Sequence, residues 1–435
     1  MKKKITFWIL GLIFFIFFIV FITYLLEIYL RSTKYAQLIN MYFYKTVNTV
    51  NLYVNDEIAG HDLSKNFKAS LAFPNNISEV GESKWKVFTN QYGCYDKNKD
   101  IKNQDFGILI GDSQTQGIEK YENTWGYSLE NKINLKILKC GVSGYGAIQS
   151  LIKLEKLLDE IAHEPRFIIY GYSSNDLVDD ITFPNIAINN GIMLENKMIN
   201  LKDGTAVNKD INISKNNLEV AHNKCTDFEL LNKLVCLFLN KTVIGIRLMQ
   251  EILYRFNINL FKKFDERENT NIQNKIIIEI EKNNNKILKN KNQLITFLPY
   301  YSFKDYIWLE KEFYNHLNNI LKIKDKADEI GSKFYVLYIP EKFEIYPHLI
   351  NTYWAYKSLD QLNIDNRKKI SFDFFKQNEV VYIDPSEKMI NQRSNESNLN
   401  FYSKESMYWA YDGHIRRKGN DVIAEIIYEN LKDIN

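Results

Sequence analysis

From residue 106 onward the chain alternates short apolar runs with stretches of helical period. Short, mostly apolar runs stand at 107–110, 135–140, 167–171, 334–339 and 380–383, the second interrupted by Lys136 and Lys139. Such runs, bounded by glycine or polar residues, are expected of strands buried on both faces of a parallel sheet. Between them, 125–131 and 147–161 carry a 3.6-residue period. In the second, Ile148, Leu151, Ile152, Leu154, Leu157, Leu158 and Ile161 form one broad apolar face. A last helix is expected over 421–431, with Val422, Ile423, Ile426 and Ile427 on one stripe. Strands alternating with helices predict an α/β fold with a parallel sheet and right-handed crossovers.

The interval 181–332 breaks this rhythm. A polar hairpin is expected over 189–204, and the remainder reads as mainly helical. Leu230, Leu231, Leu234, Leu237 and Phe238 have the spacing of one helix face. This insertion could roof the active-site edge of the sheet, form a bundle without substrate contact, or rest on a membrane surface. Residues 27–105 carry no sustained period and read as a stalk and irregular approach, with a turn at Phe73-Pro74-Asn75-Asn76.

The first residues are of another kind. Lys2, Lys3 and Lys4 precede an uncharged stretch, 5–26. As a helix it would span ~33 Å, enough for the hydrocarbon core of a bilayer. It is longer than a signal-peptide apolar region and has no small-residue cleavage site after it. The expectation is an uncleaved single-pass anchor with a cytoplasmic N-terminus and an extracytoplasmic domain. Arg31 and Lys34 beyond the span weaken that bias.

Composition adds little. With 56 Lys+Arg against 53 Asp+Glu the net charge is +3, which gives no argument for a nucleic-acid partner. The four cysteines, Cys94, Cys140, Cys225 and Cys236, have no metal-ligand spacing. Cys225 and Cys236 on one helix would be about 16 Å apart, too far for a bond. Free buried thiols are the default reading, and Cys94 with Cys140 is the pair to consider in an oxidising compartment.

The candidate chemistry lies where the runs end. Gly111-Asp112-Ser113-Gln114-Thr115 follows the first strand. Ser113 there is either a helix cap or a nucleophile at the carboxyl edge of the sheet, where open α/β folds bind ligands. Cys140-Gly141-Val142-Ser143-Gly144-Tyr145-Gly146 follows the second strand, and Ser173-Ser174-Asn175-Asp176 the third. Tyr411-Asp412-Gly413-His414 precedes the last helix. A serine, a histidine and an acid are the parts of a nucleophilic site, and backbone N–H groups with an amide can stabilise an oxyanion. Asp112 and Asp176 read as turn and loop hydrogen-bonders. Tyr408, Trp409 and Tyr411 could line a sugar or acyl site or pack beside the last helix.

In this order, Gly-Asp-Ser-Gln-Thr, Gly-Val-Ser-Gly-Tyr-Gly, Ser-Asn-Asp and Asp-Gly-His resemble the four blocks of the SGNH/GDSL hydrolase superfamily. The resemblance covers 106–180 and the tail from about 333. It implies a flavodoxin-like three-layer α/β/α sandwich with strand order 2-1-3-4-5. It implies Ser113 as nucleophile, His414 as general base and acid, and Asp412 as its orienting carboxylate. The oxyanion hole would comprise the N–H groups of Ser113 and Gly144 with the Asn175 amide, and no cofactor or metal is called for. The Asp-x-His spacing is similar to that of membrane-linked proteins of polysaccharide O-acetylation. The implied activity is a serine-dependent esterase acting on an acylated glycan or small ester. An O-acetyltransferase with the same triad and a noncatalytic glycan-binding protein are the alternatives, and envelope polysaccharide-modification proteins are possible partners. The expected domain boundaries are 5–26 for the anchor, 27–105 for the stalk and 106–435 for the hydrolase-like domain.

Overall fold

The computed structural model describes positions 11, 14, 15, 18 and 20–26 of the N-terminal segment, then 52–72, 84–189, 192–195, isolated positions over 199–206, 298–347, 364–393, 406–409 and 413–432, with single gaps at 103, 162, 301 and 305. The chain divides into two compact units, one holding 48–71, 84–211 and 269–435 and the other 1–47, 72–83 and 212–268.

The larger unit is organised on five strands. In chain order its elements are β1 (Tyr53–Asp56), β2 (Gly60–Leu63), β3 (Lys68–Ala72, the last residue falling in the other unit), β4 (Lys84–Phe88), β5 (Phe106–Gly111), α1 (Ser113–Gln116), α2 (Trp125–Ile133), β6 (Lys136–Lys139), α3 (Ala147–Glu160), β7 (Phe167–Tyr172), α4 (Asp176–Ile181), β8 (Ile186–Asn189) and β9 (Ile192–Glu195). The chain continues with α5 (Ile307–Glu329), β10 (Lys333–Tyr338), α6 (Lys342–Ile345), α7 (Ile364–Gln377), β11 (Val381–Ile383), α8 (Ser386–Gln392) and α9 (Arg417–Asn430). The main sheet has the order β11-β10-β7-β5-β6, and every pairing is parallel. Counted along the chain within this sheet, that order is 2-1-3-4-5, as the resemblance implies.

Parallel strands covered on both faces must be apolar at odd and even positions alike, and β5, β7 and, after Lys333, β10 are. Ile108, Ile110, Ile168, Tyr170, Phe334, Val336 and Tyr338 face one layer, with Leu154 and Leu157 of α3 and Leu309, Phe313, Leu317 and Ile320 of α5. Leu109, Phe167, Ile169, Tyr335 and Leu337 face the other, with Trp125 and Leu129 of α2 and Val422, Ile423 and Ile427 of α9. The period of two along each strand divides the core into two layers.

Three expectations are corrected. Residues 27–105 are not a featureless stalk: β1 and β2 form an antiparallel hairpin, and β3 pairs with β4. Polar residues join the β1–β2 hairpin to the sheet domain. Lys153 of α3 is buried because its Nζ lies 2.8 Å from both carboxylate oxygens of Asp62 and 3.1 Å from Tyr92 O. Second, 307–329 is a helix packed on α3, α4 and β10, and so belongs to the sandwich rather than to the insertion. The hairpin at the start of the interval is β8–β9, 186–195. The Leu230–Phe238 stripe, Cys225 and Cys236 lie outside the described residues. Third, Cys94 and Cys140 are joined by a disulfide.

The described positions of the N-terminal segment are helical, and their large apolar side chains are exposed. Among the described residues no helix is long and apolar enough to cross a membrane, and half of the expected span lies outside them.

The layering predicts unequal responses to truncation. Ile169, fully buried in the central strand, should lose about 2–5 kcal/mol on replacement by alanine. Val381, on the edge strand and 47% exposed, should change by no more than about 0.5 kcal/mol. Urea unfolding of Ile169→Ala and Val381→Ala measures both.

Candidate active site

The site begins where β5 ends. Gly111 has φ +144° and carries the strand out of the sheet, and Asp112 caps α1 by accepting from Gln114 N at 2.9 Å. Ser113 stands first in that short helix. Its Oγ lies 2.7 Å from Nε2 of His414, a hydrogen-bond distance for a hydroxyl donating to a neutral imidazole. The two residues are 301 positions apart in the chain. The side chain that caps this helix is thus Asp112 rather than Ser113.

His414 is held by a short ladder. Tyr408 and Ile415 bridge antiparallel, Trp409 N donates to His414 O at 3.1 Å, and Arg416 N donates to Met407 O at 2.8 Å. Trp409 is fully buried, stacked on Trp85 with the rings 3° from parallel, under the Arg416 guanidinium. Tyr408 is also fully buried and donates to Pro340 O at 2.7 Å. Both aromatics therefore anchor this segment rather than face a substrate. Asp412 and Tyr411 lie outside the described residues.

Gly144 lies on the loop after β6, at φ +79°, against Ile186: a Cβ there would come within 2.3 Å of Ile186 Cδ1. Only glycine fits both the backbone angle and the space. Asn175 stands at the start of α4, and its Nδ2 donates to Asp179 Oδ2 at 2.9 Å. The other oxygen of Asp179 accepts from Asn185 Nδ2 at 2.6 Å, and the same Asn185 amide donates to Gly144 O at 3.0 Å. One buried carboxylate thereby ties the two expected oxyanion donors to each other.

Further polar residues lock the loops together. Gln116 Oε1 accepts from Ser143 N at 2.8 Å and Ser143 Oγ at 2.9 Å. Tyr53 OH of β1 lies 3.1 Å from Ser143 Oγ, and Nε2 of the fully buried His61 lies 2.9 Å from Ser143 O. The β1–β2 hairpin thus buttresses the Gly144 loop, which the disulfide at Cys140 also tethers. The motifs give no sign of Tyr53, Gln116, Asp179 and Asn185, and His61, outside those motifs and expected to be a surface or structural residue, is structural. Their only signals were short polar–apolar alternation and amides beside turns.

The electrostatics are those of buried acids. Burial raises the Asp112 carboxyl above its ordinary range, against the pull of His414 and of hydrogen bonds from Gln114, Asn175 and Ser173. Asp176 is pushed well above its ordinary range by burial and then by the Asp112 charge. It accepts from Tyr170 OH at 2.6 Å and Ser173 N at 3.0 Å. Ser174 Oγ donates to Glu341 Oε1, and Glu341 N donates to Glu344 Oε1 at 2.9 Å. Among the described residues no group of three or more His, Cys, Asp or Glu could hold a metal ion.

The serine–histidine pair thus stands above the carboxyl edge of a parallel sheet of this strand order. In overall structure the chain is similar to a protein described as lipolytic and of the G-D-S-L family from Desulfitobacterium hafniense DCB-2. The identity is 9%, the TM-score 0.32, and the match covers 74% of this chain and 98% of that one. It is similar also to a protein described as an acylhydrolase from Bacteroides fragilis NCTC 9343, with 10% identity, TM-score 0.32, and coverage of 78% and 91%. Similarities this distant leave the functional argument to the side chains. No family model matches the chain, and no curated protein sequence matches it significantly.

Glu344 gives a measurable pH dependence. It is buried against Tyr338 OH (2.8 Å) and Tyr300 OH (3.2 Å), and burial pushes its carboxyl up to about 7, against the pull of Lys368. The unfolded chain releases this proton near 4.5, the folded chain near 7. The folded state therefore holds the extra proton between those values. Its contribution is fully present below pH 4.5 and is lost as pH rises through 7. Glu344→Gln should remove a loss of about 2–4 kcal/mol between pH 5 and 8, read by urea unfolding of both proteins at the two pH values.

Proposed function

We propose that the protein is a serine esterase of the SGNH/GDSL type that removes an acyl group from an acylated glycan or a similar ester. The observation that carries this reading is the 2.7 Å contact between Ser113 Oγ and His414 Nε2. A hydroxyl is a weak nucleophile until a base within hydrogen-bond reach takes its proton as it attacks. In the first half-reaction Ser113 Oγ attacks the acyl carbonyl while its proton passes to His414. The negative oxygen of the tetrahedral intermediate is met by the N–H groups of Ser113 and Gly144 and the amide of Asn175. Collapse of the intermediate breaks the ester C–O bond, and His414 returns the proton to the departing alkoxide, leaving an acyl-serine. Water then attacks that ester with His414 as base, a second tetrahedral intermediate collapses, and Ser113 recovers its proton as the acid leaves. Asp412, two residues before His414, would fix the imidazole tautomer and steady its cation.

The protein is further proposed to be anchored by 5–26 with this domain outside the cytoplasm. The uncharged span behind Lys2, Lys3 and Lys4 supports the anchor, and the Cys94–Cys140 disulfide supports an oxidising compartment.

Ser113→Ala in the full-length chain should lower hydrolysis of an activated acyl ester by about 10³-fold or more, with an unchanged thermal midpoint. Undiminished turnover in that variant would remove the nucleophile. Adding a glycan acceptor to the wild-type reaction separates hydrolysis from transfer. Free acid as the main product supports the esterase, and acylated acceptor outpacing free acid makes the protein an O-acyltransferase on the same residues. A protein that turns over neither ester nor acceptor would favour the noncatalytic glycan-binding reading.

A further inference from the structure

We infer that Gln114 is a positioning residue for the general base, holding His414 against the nucleophile through both ends of one side-chain amide. This inference rests on the serine-hydrolase reading above. Gln114 Nε2 donates to Gly413 O at 3.1 Å, and Gln114 Oε1 accepts from Ile415 N at 3.2 Å. The two partners flank His414, so one amide grips the backbone on either side of the imidazole. The residue bearing that amide is the covalent neighbour of Ser113. Nucleophile and base, 301 positions apart, are therefore indexed to each other through a single side chain.

The grip is useful only if its own base is fixed, and it is. Gln114 N donates to Asp112 Oδ1 at 2.9 Å, and Gln114 O accepts from the Trp125 Nε1–H at 3.2 Å. Trp125 is fully buried in the layer formed with α9. The backbone of Gln114 is thus tied to the cap and to the core, while its side chain reaches out to the histidine segment. The need for such a grip follows from the surroundings. Gly413 is exposed, and among the described residues a Cβ added there would find only Glu341 Oε2, at 3.8 Å, within van der Waals reach. The ladder to Tyr408 and Trp409 fixes the far side of the segment, and Gln114 fixes the side that faces Ser113.

A donor and an acceptor at this reach are both needed. Glutamate keeps an acceptor for Ile415 N but sets a carboxylate oxygen against Gly413 O. Methionine keeps the length and loses both bonds. Misplacement of a catalytic group by an ångström lowers the rate by about 10²-fold. The base serves both half-reactions, whereas substrate binding does not depend on it.

The test uses full-length Gln114→Met and Gln114→Glu, each also combined with His414→Ala. The expected result is a fall in kcat of about 10- to 100-fold in both single variants, with KM within about twofold and the thermal midpoint unchanged. Acylation and deacylation should slow by the same factor in pre-steady-state measurements. In the His414→Ala background the substitutions at 114 should have no further effect, because the group they position is gone. An unchanged kcat, a rise in KM alone, or a loss that persists in the His414→Ala background would overturn the inference. Ser113→Ala run in parallel separates the two levels. If it is inactive and the Gln114 variants are normal, only the positioning role fails; if it is active, the serine-hydrolase reading fails first.

Discussion

One hydrogen bond, between the hydroxyl of Ser113 and the imidazole of His414, defines what the rest of the domain must accomplish. The partners stand 301 positions apart in the chain. Bringing them within 2.7 Å requires a frame stiff enough to set two loops to a fraction of an ångström. The parallel sheet supplies it. Its strands are apolar on both faces, packed between two helical layers, and they all deliver their carboxyl ends to one edge.

Those loops are cross-tied in a closed pattern. Gln116 joins the nucleophile segment to the Gly144 loop, and Ser173 joins it to the Asn175 loop through Asp112. Asp179 and Asn185 join Asn175 back to Gly144. Buried polar groups are stabilising only when each finds a partner, and here the partners are each other. Removing one leaves its neighbour buried and unsatisfied, so the network favours a single arrangement of the edge. The pairing of β1 with β2 extends this logic outward, since Tyr53 and His61 complete hydrogen bonds that the Gly144 loop cannot satisfy internally.

Four of the five main strands were legible in the sequence because double-sided burial leaves a short apolar run, whereas β6 carries Lys136 and the buried Lys139 beside its apolar positions. Ser113, Gly144, Asn175 and His414 were singled out because their neighbours repeat a known order of short motifs, and the structure brings Ser113 and His414 together. The β1–β2 hairpin was not. Tyr53-Val54-Asn55-Asp56 and Gly60-His61-Asp62-Leu63 are four residues each and half polar, and their partners lie 60 to 90 positions away. Local pattern carries no trace of such a contact. Lys153 misleads in the same way, a buried lysine on a helix whose apolar stripe alone suggested one buried face; its second face is covered because Asp62 is there to meet the charge. The long crossover helix 307–329 was submerged in the Lys- and Asn-rich interval before it, where composition masked its period.

On the proposed reading, the edge of the sheet presents a nucleophile, a base and oxyanion donors to one acyl carbon. A crystal structure of the protein after reaction with a serine-directed phosphonate tests it most directly. The account predicts phosphorus bonded to Ser113 Oγ, His414 Nε2 within hydrogen-bond reach of that oxygen, and the phosphoryl oxygen facing the N–H groups of Ser113 and Gly144 and the Asn175 amide. Phosphorus on another residue, or a phosphoryl oxygen turned to solvent away from Gly144 and Asn175, would contradict it.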